Sequence, residues 1–114
     1  MKSYTDIEQS KKLTEILPLE SADGYWDFQI DGYNLIADKL GYYKNDSEIP
    51  CWSLAALLNS VKYNTINLHY NDVRNDWIAS CTVEHSTRYG SGRALNPVDA
   101  CVEMILKLHE QKLL

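Results

Sequence analysis

The chain reads as an α+β fold: a small antiparallel sheet of three or four strands, packed on one face by two helices, with an additional helix at the N-terminus. Three observations lead there. Residues 66–71 and 77–85 alternate apolar and polar side chains on either side of a short Asn/Asp-rich turn, the pattern of an antiparallel hairpin. Asn96-Pro97 followed by Val98, Cys101, Val102, Ile105, Leu106 and Leu108 is the pattern of a capped helix with a broad apolar stripe. With 114 residues, 45% hydrophobic and 24% charged, the composition suits one hydrophobic core rather than two, so a single domain over residues 1–114 is expected.

In chain order, the spacing first predicts a helix from Thr5 to Leu17. Thr5-x-x-Glu8 is a capping-box pattern, Ile7, Leu13, Ile16 and Leu17 supply a thin apolar stripe, and Pro18 ends the run. Tyr25, Trp26, Phe28 and Ile30, set between Gly24 and Asp31-Gly32, read as a strand. The path of residues 31–48 is open between a long surface excursion and an extra strand with a loop. Pro50 and Ser53 read as a helix start, with Trp52, Leu54, Leu57, Leu58 and Val61 as the buried face and Trp52 as the large core anchor. After the hairpin a short strand near Thr87 to Tyr89 is expected, then a loose Gly90-Ser91-Gly92. The last two-thirds therefore runs helix, strand, strand, strand, helix, which is two-layer packing.

Charge limits the function classes. Eleven basic residues stand against sixteen acidic ones, a formal net charge of −5. Residues 20–48 alone hold seven acids and two lysines. A phosphate backbone is gripped mainly by Lys and Arg, so bulk charge disfavours nucleic acid as a partner. Cys51, Cys81 and Cys101 are odd in number and widely spaced, giving neither a disulfide framework nor a metal-ligand pair, and buried thiols are expected. No apolar run is long enough to cross a bilayer, and the polar start is unlike a signal peptide. A cytoplasmic protein without membrane partners is the resulting expectation.

No catalytic constellation stands out, and neither a cofactor nor a metal site is expected. His69 and His85 could approach one another across the hairpin, near Glu84 and Asp72, but two exposed strand histidines is the favoured reading. His109 suits the negative end of the last helix. Tyr89-Gly90-Ser91-Gly92-Arg93 looks like a phosphate loop, yet Ala94-Leu95-Asn96-Pro97 separates the glycines from the helix they would have to enter directly. The acids of residues 20–48 form no alternating calcium-loop array. The order helix–three strands–helix matches double-stranded RNA-binding domains, but the start of the last helix carries Asp99 where such domains place bases.

Three stretches carry a resemblance. They are Glu8-Gln9-Ser10-Lys11-Lys12-Leu13 with Glu20-Ser21-Ala22-Asp23, then Ile49-Pro50-Cys51-Trp52-Ser53-Leu54-Ala55-Ala56-Leu57-Leu58, and finally Asn96-Pro97-Val98-Asp99-Ala100-Cys101-Val102-Glu103-Met104-Ile105. In order and spacing the chain resembles small proteins encoded by phages, prophages and mobile elements of Bacteroides-type gut bacteria, a group with no assigned activity. The resemblance implies a bacterial cytoplasmic setting and an accessory, phage-related role, and carries over no site residue.

Three functional readings follow. The first is a non-enzymatic interaction protein, binding an unidentified protein or itself, because Tyr25, Trp26, Tyr33, Tyr42 and Tyr43 crowd an acidic segment and Tyr and Trp are enriched at contact surfaces. The alternative is nucleic-acid binding by a local basic face of Lys62, Arg74, Arg88 and Arg93 with Tyr89. A small hydrolase using His69 or His85 is the weakest reading.

Overall fold

A computed structural model describes residues 2–29, 32–37, 48–61, 65–82 and 89–114. The fold is mixed α+β, with three helices and two three-stranded antiparallel sheets among these residues. The chain divides into two compact units, Ser3–Ser60 and Val61–Leu114 with Met1–Lys2. The expected single sheet is thus two, because residues 24–51 supply three strands of their own.

The first unit opens with α1 (Ile7–Leu13), which is shorter than predicted and capped one residue later. Asp6, not Thr5, closes the capping box: its carboxylate accepts from the Gln9 backbone N–H at 2.8 Å, and the Gln9 side chain accepts from the Asp6 N–H at 3.0 Å. Thr5 is instead a buried junction. Its Oγ1 accepts from the Trp52 N–H (3.1 Å) and sits 2.8 Å from Ser10 Oγ, while its own N–H donates to the Trp52 carbonyl (2.9 Å). A buried hydroxyl so employed is unavailable as a cap.

After a single 3-10 turn (Leu19–Ser21), β1 (Gly24–Gln29) forms the centre of the first sheet. β2 (Gly32–Ile36) flanks it on one side and β3 (Glu48–Cys51) on the other, both antiparallel. Residues 32–36 are therefore the extra strand. The segment read as a helix lead-in, Ile49-Pro50-Cys51, is an edge strand, where a proline without an N–H is tolerated. Ser53 then starts α2 (Leu54–Ser60), its Oγ accepting from the Ala56 N–H at 3.2 Å. Asp23 pins this cap from outside: one carboxylate oxygen accepts from the Ser53 N–H at 2.8 Å and the other from the Ser53 hydroxyl.

The second unit contains β4 (Thr65–Asn71), β5 (Asp76–Thr82) and β6 (Tyr89–Ala94), in that spatial order, and α3 (Pro97–Glu110). The register pairs Ile66 with Cys81, Leu68 with Ala79 and Tyr70 with Trp77, as the alternation requires. Asn96 caps α3 by accepting from the Asp99 N–H at 2.9 Å, and Lys2 Nζ holds the Asp99 carboxylate at 2.8 Å. α3 lies against β6 and β5, and its Val98, Cys101, Val102, Met104, Ile105 and Leu108 are buried. Removing each of the larger of these from water contributes roughly 1.5–3 kcal/mol.

Gly90 and Gly92 are part of β6 and not of a loose loop. A Cβ on Gly92 would stand 2.2 Å from the Ala100 carbonyl oxygen, and one on Gly90 2.6 Å from Leu108 Cγ. The glycines are there because α3 lies directly on the strand, which no side chain at these positions would permit. Among the described residues, no helix is long and apolar enough to cross a membrane.

Candidate interaction surface

The first sheet presents two chemically different faces. Strand alternation and register place Gly24, Trp26, Phe28, Tyr33, Leu35, Ile49 and Cys51 on one, and Tyr25, Asp27, Asn34, Ile36, Glu48 and Pro50 on the other. Along the first face burial falls steadily. Cys51 is completely buried and Ile49 nearly so, Trp26 is half-buried, and Phe28 and Leu35 are 55% and 38% exposed. The apolar row thus continues beyond what the unit's own core covers.

The hairpin gives this exposed end a defined shape. Phe28 lies directly across from Tyr33, their rings edge to face with centroids 5.3 Å apart. Trp26, opposite Leu35, is fixed by its indole N–H, which donates to the Thr5 carbonyl at 3.0 Å. On the other face Asp27 and Glu48 are cross-strand neighbours. The Glu48 carboxyl is held above the usual range, first by desolvation and then by the Asp27 carboxylate.

Of the aromatic residues singled out in the sequence, Trp26 and Tyr33 share the exposed-apolar face, Tyr25 lies on the opposite one, and Tyr42 and Tyr43 fall outside the described residues. Phe28 and Leu35 are the most exposed members of the patch and lie outside the expected aromatic set. The signal was present in the two-residue spacing from Trp26 to Phe28, which puts both on one face of a strand.

Of the basic-face alternative, Arg74, Arg93 and the Tyr89 backbone are described. Arg74 is exposed in the β4–β5 turn, Tyr89 opens β6 opposite Thr82, and Lys62 and Arg88 fall outside the described residues. Arg93 is partly exposed, and its Nε is 3.2 Å from the carboxylate of buried Asp76, which offsets its charge. Arg93 lines a groove of about 350 Å³ with Ile78, Ser91, Gly92, Glu103 and Lys107, a mixed-charge setting.

His69 is exposed on β4, opposite Ile78. His85 and Glu84 lie outside the described residues, so the hairpin pair is not described, and Asp72 is exposed in the turn. His109 is exposed near the end of α3, its Nδ1 3.2 Å from the Leu114 carbonyl oxygen. Among the described residues, no three His, Cys, Asp or Glu side chains are placed to hold a metal.

The three cysteines are free and buried, as expected. Burial pushes the Cys51 thiol up to about 12, with Asp23 adding to the shift, and the Cys101 thiol up to about 11. Cys81 is raised for the same reason. The folded protein should therefore resist a thiol reagent near pH 8 and expose three reactive thiols on denaturation. Because the thiols ionise at lower pH once unfolded, their contribution is complete below the ordinary thiol value of 9.0 and is lost as pH rises towards 12. Urea midpoints measured across that window should fall with pH, and less steeply in Cys51→Ala.

No protein-family model matches the chain, and no curated protein or solved structure shows significant similarity to it.

Proposed function

We propose that the protein is a non-enzymatic accessory protein that works by binding another protein through the β1–β2 face formed by Trp26, Phe28, Tyr33 and Leu35. The setting is the bacterial cytoplasm and the phage or mobile-element context that the sequence resemblance implies. One observation carries the reading: two large apolar side chains, Phe28 and Leu35, stand exposed beside Tyr33 on a single, regular strand face. Scattered exposed apolar residues are ordinary, but a contiguous aromatic and aliphatic row beside half-buried anchors is the composition of a contact surface. Trp26, fixed by its hydrogen bond to Thr5, and Tyr33 offer rigid area at low entropic cost.

The test is a tagged pull-down from host-cell lysate, split into nuclease-treated and untreated halves, with wild type beside Phe28→Ser/Leu35→Ser. Both sites are exposed, and losing the Phe28–Tyr33 ring pair should cost about 0.5–1.5 kcal/mol, small against the roughly 5–15 kcal/mol by which domains are folded. A nuclease-resistant protein retained by wild type and reduced at least tenfold by the double variant is the expected result. Recovery of nucleic acid, of partners lost on nuclease treatment, or of the same partner by both proteins would overturn it.

A further inference from the structure

We infer that the outer edge of β2, which has no further strand on it among the described residues, receives an extended segment of a basic protein partner, a strand that alternates apolar and cationic residues. The inference rests on the protein-contact reading above and gives that partner its chemistry and its mode of binding. In the order β2–β1–β3, β2 pairs with β1 alone among the described residues. An edge strand presents a row of outward N–H and C=O groups, a template for another strand, and proteins guard such rows with charges, prolines or bulges. The opposite edge of this sheet is guarded: β3 carries Glu48 and Pro50, and the chain beyond it bridges to Tyr4 through Ser53.

β2 has none of these devices. Gly32-Tyr33-Asn34-Leu35-Ile36 contains no charge and no proline, and pairs one to one with β1 from Gln29↔Gly32 to Tyr25↔Ile36 without a bulge. A strand added here would extend both faces of the sheet. Beside Tyr33 and Leu35 its side chains would continue the exposed apolar row, so those positions are apolar. Its alternate side chains would lie beside exposed Asn34, in line with Asp27 and Glu48. Two strand spacings are about 10 Å, which a lysine or arginine stem directed along the row can largely span.

Charge selects among the occupants. The Ser3–Ser60 unit holds ten carboxylates and four lysines, a net −6. Such a unit repels a second copy of itself and attracts a cationic partner.

The test is a titration of the isotope-labelled full chain at low salt with three short peptides, alternating valine with lysine, with threonine or with glutamate, followed by amide chemical shifts. The lysine peptide should bind at least tenfold tighter than the threonine peptide, shift the amides of Tyr33 to Ile36 most, and weaken as salt is added; the glutamate peptide should not bind. Asn34→Lys, at an exposed position on the face away from Phe28, should weaken the lysine peptide at least tenfold. Equal binding of the three peptides, or shifts centred away from β2, would overturn the inference. So would a wild-type dimer in sedimentation that Asn34→Lys dissociates, since the occupant is then a second copy. If no peptide binds at β2 while Phe28→Ser/Leu35→Ser still loses a lysate partner, the edge inference falls and the contact reading stands. If that partner is also unaffected, both fall.

Discussion

Gly92→Ala should destabilise the second unit by about 3 kcal/mol or more, one of the two largest single-residue effects expected in this protein. The added methyl would meet backbone: the Ala100 carbonyl oxygen at 2.2 Å and the Met104 nitrogen at 2.5 Å, with Glu103 Cβ also at 2.5 Å. None of these atoms belongs to the free end of a side chain, so α3 itself has to move off β6. In a strand that tolerated alanine, losing glycine would stabilise by about 0.4–1 kcal/mol through the unfolded chain. The sign of the effect therefore separates a packing role from a passive one. Gly90→Ala should cost less, about 1–2 kcal/mol, because its nearest contacts are Leu108 side-chain atoms at 2.6 and 2.8 Å and the Met104 carbonyl oxygen at 3.0 Å. Denaturant midpoints and amide exchange in Pro97–Glu110 measure both. A Gly92→Ala protein as stable as wild type would mean that α3 does not rest on β6.

Trp52→Ala should cost about 3–5 kcal/mol, against the roughly 5–15 kcal/mol by which domains of this size are folded. Trp52 is completely buried between the end of β3 and the start of α2. Its indole N–H donates to Ser21 Oγ at 2.9 Å, which ties the 3-10 turn to the core. Its backbone N–H and carbonyl both bond to Thr5. Removing the side chain empties the largest core position of the first unit and leaves those anchors around a cavity. Trp52→Phe keeps most of the volume and loses the indole donor, so it should cost only about 1–2 kcal/mol. Near-ultraviolet circular dichroism and urea unfolding of the two variants check the order.

The candidate surface was half legible. Trp26 and Tyr33 were marked by residue type, and they share the apolar face. Tyr25 was marked for the same reason and lies on the other face, since composition does not see strand parity. The exposure of Phe28 and Leu35 is not legible in the sequence, because nothing in a one-dimensional pattern says where the core's cover ends. Arg93 shows the converse: as a residue it advertised a basic patch, but its neighbour across the sheet is the buried carboxylate of Asp76, seventeen positions earlier. Thr5 and Asp6 are equally good cap residues, and the choice fell to Asp6 because Trp52, far along the chain, claims the Thr5 hydroxyl.

What the sequence determined by itself is what local physics controls. The α+β class, the β4–β5 register, the Asn96-Pro97 start of α3 and the burial of Trp52 and the cysteines follow from alternation, capping and apolar spacing, each acting over a few residues. Only the tertiary structure decided that the strands form two sheets, that Ile49-Pro50-Cys51 is an edge, and that Gly90 and Gly92 lie beneath a helix. It alone placed β2 at the edge of the first sheet, among the described residues, beside exposed Phe28 and Leu35. Each of these depends on partners distant in sequence, and pairing and burial are properties of the neighbour as much as of the residue.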